Sequence, residues 1–266
     1  MNNTISKDQK NFLKRQIQHN RNTHILRILI LFLFLAQWEL TADFGLIDSF
    51  IFSAPSKILS CFWNMLTDHS LLPHILTTLY ETIASFLFVT FFSIAFAVLL
   101  WLQKSLSEIL DPYLVVLNSL PKSALAPLLI VWLGANKTTI IISGMSVAIF
   151  GSILSLYSSF SNVDQGKIKL IYTLCGNRWH ALSKVVLPAS IPAIINNMKV
   201  NIGLCLVGVI IGEFLAARQG LGYLIIYSSQ IFKMDWLLMS ILILCFLAMA
   251  LYSVINLLEK CIRKKY

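Results

Sequence analysis

Six apolar stretches run through this chain, at 25–42, 79–102, 112–134, 138–157, 190–212 and 236–258. No other feature limits its fold as strongly. A helix crosses the hydrocarbon of a bilayer with about 20 apolar residues, and inside that hydrocarbon every backbone donor and acceptor needs a partner within the protein. Helices meet both demands. A barrel would show apolar–polar alternation over about ten residues, which is absent here. Charged residues make up 12% of the chain, about half the ~25% usual in a soluble domain. The reading is an all-α polytopic membrane protein with six transmembrane helices. Residues 1–24 form a polar N-terminal segment, 25–258 the membrane domain and 259–266 a basic tail. The polar leader is long for a cleavable signal, so the first span is expected to stay in place as its own targeting signal.

The net charge of +9 is explained by topology. With both termini in the cytoplasm, fifteen of the 21 Lys and Arg residues fall inside, among them Lys104, Lys167, Lys169, Arg178, Lys184, Lys264 and Lys265. Four fall outside (Lys57, Lys137, Arg218, Lys233), and Lys122 and Lys199 lie within spans. This is the positive-inside pattern, and it removes the case for nucleic acid. The five cysteines are scattered singly with no CxxC pair, three of them in or beside apolar runs, so most read as packing residues rather than metal ligands or a disulfide framework. There is no Walker A sequence, no HExxH and no GxSxG, which speaks against an enzyme.

One polar interruption stands out. Between the fourth and fifth spans, residues 158–189 contain SNVDQGKIKLIYTLCGNRWHALSKVVLP. Asp164 or Asn162 suits the cap of a short helix carrying Ile168, Ile171, Tyr172 and Leu174. Gly176 stands where a left-handed C′ residue is expected. Asn177 suits the N-cap of a second short helix through Trp179, Leu182 and Val186, which Pro188 should stop. A cytoplasmic loop of this length with its own helix breaks reads either as a contact element or as a surface hairpin joining two spans. The external loops are simpler. SAPSKILSCFWNMLTDHSLL at 53–72 has the spacing of an interfacial amphipathic helix, and GLGYLI at 220–225 has two glycines that permit a turn or close approach.

The internal loop resembles the cytoplasmic signature loop of ABC importer permeases: a triplet EAA, three residues, Gly, nine residues, then an apolar residue, Leu and Pro. Gly176 and the pair Leu187-Pro188 match in identity and spacing, whereas Leu170, Ile171 and Tyr172 replace the triplet. FSAPSKIL at 52–59, LDPYLVVLNSLPKSALAPLLIVWLG at 110–134 and IIGEFLAARQGLGYLI at 210–225 look like the branch importing sulfonates, taurine, nitrate, riboflavin or thiamine precursors. SLPKSALAP leans toward the last two. The resemblance implies a type I importer permease: two copies forming the pore, each docked to a cytoplasmic ABC ATPase, with an extracytoplasmic substrate-binding protein delivering the solute. Tyr172, Gly176, Asn177, Arg178, Trp179, Leu187 and Pro188 would then form the ATPase-coupling element.

Four residues are candidates for the translocation pathway. Lys122, between Pro121 and Pro127, is a charge inside a span, which marks a functional site by default; a plainer reading pairs it with Glu81 or moves it to a helix end. Asn118, Asn197 and Asn201 either face the pathway or bond neighbouring helices. Glu213 reads as a cap or gate at the outer end of the fifth span. His69 and His74 are isolated and make a poor metal site. A secondary transporter would need acidic coupling residues near the midplane, and only Glu81, placed near a span's end, is a candidate. A membrane scaffold or enzyme would cluster His, Asp or Glu at one face, and none cluster.

Overall fold

A computed structural model of the chain describes residues 7–263; Lys264 and Lys265 of the basic tail lie outside them. The chain divides into two compact units, residues 1–61 and 62–266. The first holds α1 (Lys7–Asp43), α2 (Ser49–Phe52) and the start of α3 (Pro55–Thr67). The polar leader is therefore helical from Lys7 and continuous with the first span. Within this unit Asp48 caps α2 by accepting from Phe50 N at 2.9 Å. The Glu39 carboxylate accepts from Ser56 N, in the first turn of α3, at 3.0 Å. The amphipathic helix expected in 53–72 is α3.

The second unit continues with α4 (Leu71–Leu102), α5 (Lys104–Ser119), α6 (Lys122–Leu133) and α7 (Lys137–Ser161). It is completed by α8 (Gln165–Thr173), α9 (Arg178–Ala181), a π-helical turn (Leu182–Val186), α10 (Leu187–Ala216), α11 (Leu221–Gln230) and α12 (Met234–Arg263). Among the described residues five helical stretches are long and apolar enough to cross a membrane, or six if α5 and α6 count as one span.

That pair corrects the reading of 112–134 as a single straight span. α5 and α6 meet at 96°. Pro121 has no N–H to give and its ring drives Leu120 out of the helical region, to φ −61°, ψ 141°, so the helix stops at Ser119 and restarts at Lys122. α4 also departs from expectation by starting at Leu71 rather than 79. Pro73 falls in its first turn, where a missing N–H costs no hydrogen bond. Glu81 consequently lies well inside a helix instead of near its end.

α7 and α10 form the central seam of this unit. Lipid offers no hydrophobic drive for helix pairing, so close backbone approach and interhelical hydrogen bonds must supply it. A Cβ on Gly208 would lie 2.8 Å from Gly144 Cα, so these two glycines are what lets the axes meet. Ser143 Oγ donates to the Gly208 carbonyl at 3.0 Å across the same seam.

Candidate functional site

The internal loop is built by two capping motifs placed back to back. Asp164 caps α8 by accepting from Gly166 N at 2.8 Å. At the other end Gly176 N donates to the Ile171 carbonyl at 2.9 Å and Cys175 N to the Tyr172 carbonyl at 3.1 Å. That is a Schellman motif, and Cys175 holds its left-handed position with φ 59°. Gly176 is therefore not the left-handed residue the sequence pointed to; it comes one position later. Glycine is required there because a Cβ would sit 2.8 Å from the Ile171 carbonyl oxygen. The chain then turns into a capping box: Asn177 Oδ1 accepts from His180 N at 3.0 Å, and His180 Nδ1 accepts from Asn177 N at 3.3 Å.

The second short helix does not stop at Pro188. α9 runs through the π turn into α10, making one apolar rod from Arg178 to Ala216. Pro188 occupies the first turn of α10. The turn before it is widened, with Leu187 N reaching back to the Leu182 carbonyl. The wider turn makes room for the ring and for the carbonyl it cannot bond, so proline shifts the helix register without ending the helix.

The loop sits firmly on the spans. Ile168, Ala181, Leu182 and Val186 are buried in one cluster with Ala97 of α4 and Leu156 and Phe160 of α7. Arg178 donates to the Leu102 carbonyl at the end of α4 at 2.6 Å. On the outside of this anchored element Leu170, Leu174, Tyr172 and Trp179 stay exposed, Leu174 by 71% and Trp179 by 62%. Two of the four are aromatic, Tyr172 and Trp179.

The pathway candidates separate. Lys122 is half-buried, at the start of α6, and its Nζ bonds the Asn118 carbonyl left open by the break. It is a helix-end residue, as the plainer reading allowed, and makes no ion pair with Glu81. Asn118 Oδ1 sits 3.1 Å from where a Gly151 Cβ would be, against α7. Asn197 and Asn201 are buried and both donate to Ser152 Oγ, at 2.7 and 2.9 Å. Geometrically these two act as interhelical glue. Lys199, within α10, reaches α12: its Nζ lies 2.5 Å from Glu259 Oε2 and 3.0 Å from Asn256 Oδ1.

The cap expected of Glu213 is one part of an outer clamp whose partners the sequence did not point to. Glu213 is fully buried at the top of α10. One carboxylate oxygen accepts from Thr78 Oγ at 2.6 Å and the other from Gly222 N at 2.6 Å. Thr78 Oγ in turn accepts from Leu221 N at 2.8 Å. The carboxylate thus caps α11 from a neighbouring helix and ties it to α4. His74 adds a stacked contact on Tyr223, ring centroids 6.1 Å apart, and its Nδ1 lies 3.1 Å from Gly220 N. The signal was present as a Glu seven residues before the GLG turn, but only the folded chain brings Thr78 to it. Among the described residues no group of three or more His, Cys, Asp or Glu is placed to hold a metal.

The chain is similar to known proteins along most of its length. Residues 90–266 match the family described as binding-protein-dependent transport system inner membrane component. A probable ABC transporter permease protein of Haemophilus influenzae is 28% identical over 86% of this chain and 93% of its own. The riboflavin transport system permease protein RibX of Chloroflexus aurantiacus is 26% identical over 86% of both. The taurine transport system permease protein TauC of Escherichia coli is 24% identical over 82% of this chain and 81% of its own. Among solved structures, the MetNI methionine ABC transporter in inward-facing conformations superposes with a TM-score of 0.65 at 16% identity, covering 72% of this chain and 95% of that one. An amino acid ABC transporter crystallised with histidines gives 0.57 at 18% identity, covering 77% and 98%.

Proposed function

Because the chain belongs to the family of binding-protein-dependent transport system inner membrane components, and is thus the permease subunit of an ABC importer, we propose that it imports a small polar or anionic organic solute by docking a cytoplasmic ATPase on the α8–α9 loop. The observation that carries the docking assignment is the exposed quartet Leu170, Tyr172, Leu174 and Trp179 on a loop whose Ile168, Ala181, Leu182 and Val186 are buried and whose Val163, Ile171, Val185 and Leu187 pack against that core. Exposed aromatic anchors on a rigid support are what a partner groove recognises. Gly176 and Asn177 shape the corner that presents them, and Leu187 and Pro188 join it to α10. Relatives named for riboflavin, aliphatic sulfonate, taurine and formylaminopyrimidine transport support a solute of the riboflavin, sulfonate, taurine or thiamine-precursor type, and the nitrate type rests on the sequence resemblance alone.

Three helix contacts support a transmission path. A push on Trp179 is a push on the end of the Arg178–Ala216 rod. Arg178 carries α4 along through Leu102, and Lys199 carries α12 through Glu259 and Asn256. ATP-driven closure of the ATPase pair would re-tilt these helices between inward-open and outward-open states. ATP binds and is hydrolysed in the partner, so this chain needs no cofactor of its own. The second copy of the permease would cover the exposed apolar side chains of the bent pair, Ile109, Tyr113, Val116, Val131 and Trp132. In that arrangement Asn118 and Lys122 stand at the break nearest a pathway between copies, with Asn197 and Asn201 behind them on the α7–α10 seam. The excess of basic residues on one side supports a cytoplasmic location for both termini, and the family supports the inner membrane of a bacterium as the chain's location.

The test is reconstitution in vesicles with the ATPase and the solute-binding protein. Uptake should require ATP and both partners. Uptake driven by an ion gradient with the permease alone would overturn the ATPase-dependent reading in favour of a secondary transporter. A second measurement addresses transmission. Lys199→Met should leave ATPase association unchanged while solute moved per ATP hydrolysed falls about tenfold, and the exchanged pair Lys199→Glu with Glu259→Lys should restore part of it. An unchanged ratio would remove Lys199 from the path.

A further inference from the structure

A cavity of about 330 Å³ opens beside the outer clamp, lined by Thr77, Glu81, Asn136, Lys137, Arg218 and Gln219 among others. Glu81 lies at its floor. The side chain is fully buried, and neither carboxyl oxygen has a hydrogen-bond partner. No lysine or arginine among the described residues forms an ion pair with it. Its polar neighbour is the Glu213 carboxyl, whose two oxygens are already taken by Thr78 and Gly222. Were both ionised, these two groups would be two like charges side by side in a buried site, opposed by Lys137 beyond ion-pair distance. Proteins do not leave such pairs uncompensated: one positive charge must enter.

We propose that this floor is a monovalent-cation site, in which one positive charge, a proton or a sodium ion, is held by Glu81 against Glu213. A proton would come from water in the cavity onto a Glu81 oxygen, and the resulting O–H would donate to the Glu213 carboxylate. A sodium ion would bridge the two carboxylates. Either occupant joins α4 to the carboxylate that caps α11, and loss of the occupant sets the two charges against each other across that joint. The groups facing Glu81 are Glu213 from α10, Lys137 from the first turn of α7 and Arg218 after α10; on α4 itself His74 stands seven residues earlier and contacts Gly220 and Tyr223 instead. Lys137 and Arg218 sit at the rim, and their positive field would repel a divalent cation more than a singly charged one. The inference does not depend on the ATPase assignment, since every measurement below is made on the permease alone.

The full-length permease is purified into neutral-lipid nanodiscs and studied at neutral pH. In sodium-free buffer, infrared spectra should show a protonated-carboxyl C=O band that shifts in D₂O and is lost in Glu81→Gln; that outcome identifies the proton. Alternatively the band is missing and sodium raises Tm saturably over N-methylglucamine at equal ionic strength, an effect lost in Glu81→Gln and weakened in Glu213→Gln; that identifies sodium. A wild-type protein with neither signal overturns the proposal, as does a signal that survives both substitutions. So does a band or sodium response that Lys137→Gln creates and the wild type lacks, which would show Lys137 itself neutralising Glu81. If Glu81→Gln does not fold, the wild-type band, its D₂O shift and the sodium titration decide with Glu213→Gln alone.

Discussion

Trp179→Asp is expected to abolish ATP-driven uptake while leaving the permease folded in the membrane. The indole is 62% exposed, so its removal takes little packing from the chain itself. The substitution also suits the loop locally. Position 179 is the second residue of α9, behind the Asn177 cap, and a carboxylate there is favoured by the helix N-terminus. The seat of the loop, made by Ala181, Leu182 and Val186, is untouched. What changes is the docking face, where a buried aromatic anchor becomes a charge that must be desolvated. An anchor of this kind contributes ~2 kcal/mol or more to an interface, so affinity for the ATPase should fall about 30-fold or further. The measurement is the dissociation constant of the detergent-solubilised permease for its ATPase, beside size-exclusion profile and Tm. Trp179→Phe should retain most of the affinity. If Trp179→Asp bound the ATPase as tightly as wild type, the exposed quartet would not be the docking face. Gly176→Val should fail differently: its side chain collides with Ile171, so it deforms the corner and lowers Tm along with affinity.

The contrast between those two variants reflects what was legible in the sequence. Rules that act over three or four residues were readable: Asp164 and Asn177 are caps because their side chains reach N–H groups two or three positions on. The left-handed residue was misassigned by one position. A sequence shows that glycine is needed at the corner, but not whether φ or crowding demands it; here Cys175 takes the φ and Gly176 the crowding. Pro188 was legible as a disturbance and misread as a stop, because a π turn ending two positions upstream absorbs the missing bond. Lys122 looked buried because hydropathy averages over the α5–α6 break that Pro121 creates. The outer clamp was the least accessible. Thr78 and Glu213 are 135 residues apart in the chain, and no local pattern joins them.

That clamp is where the largest loss of stability is expected, from Gly222→Val. A Cβ on Gly222 would lie 2.8 Å from Glu213 Oε2, 2.9 Å from Glu213 Cβ and 3.1 Å from the Ile210 carbonyl oxygen. Two of these three atoms belong to the top of α10 and cannot rotate away, so either α11 moves off or Glu213 is displaced. In both cases the carboxylate loses the Gly222 N–H and remains buried with half its partners. Breaking a buried, hydrogen-bonded charge costs ~3–5 kcal/mol, which corresponds to a fall in Tm on the order of 10 °C for a chain of this size. Thr78→Val removes the other partner, and with it the acceptor for Leu221 N, so it should destabilise to a similar degree. The two losses should not add in the double variant, because each alone already undocks α11 from Glu213. Thermal melts in nanodiscs measure all three, and full additivity would show the two bonds to be independent rather than one clamp. Binding of the ATPase at low temperature provides the control. The coupling loop lies at the opposite end of the Arg178–Ala216 rod, so a Gly222→Val permease that has not melted should still bind its ATPase with wild-type affinity.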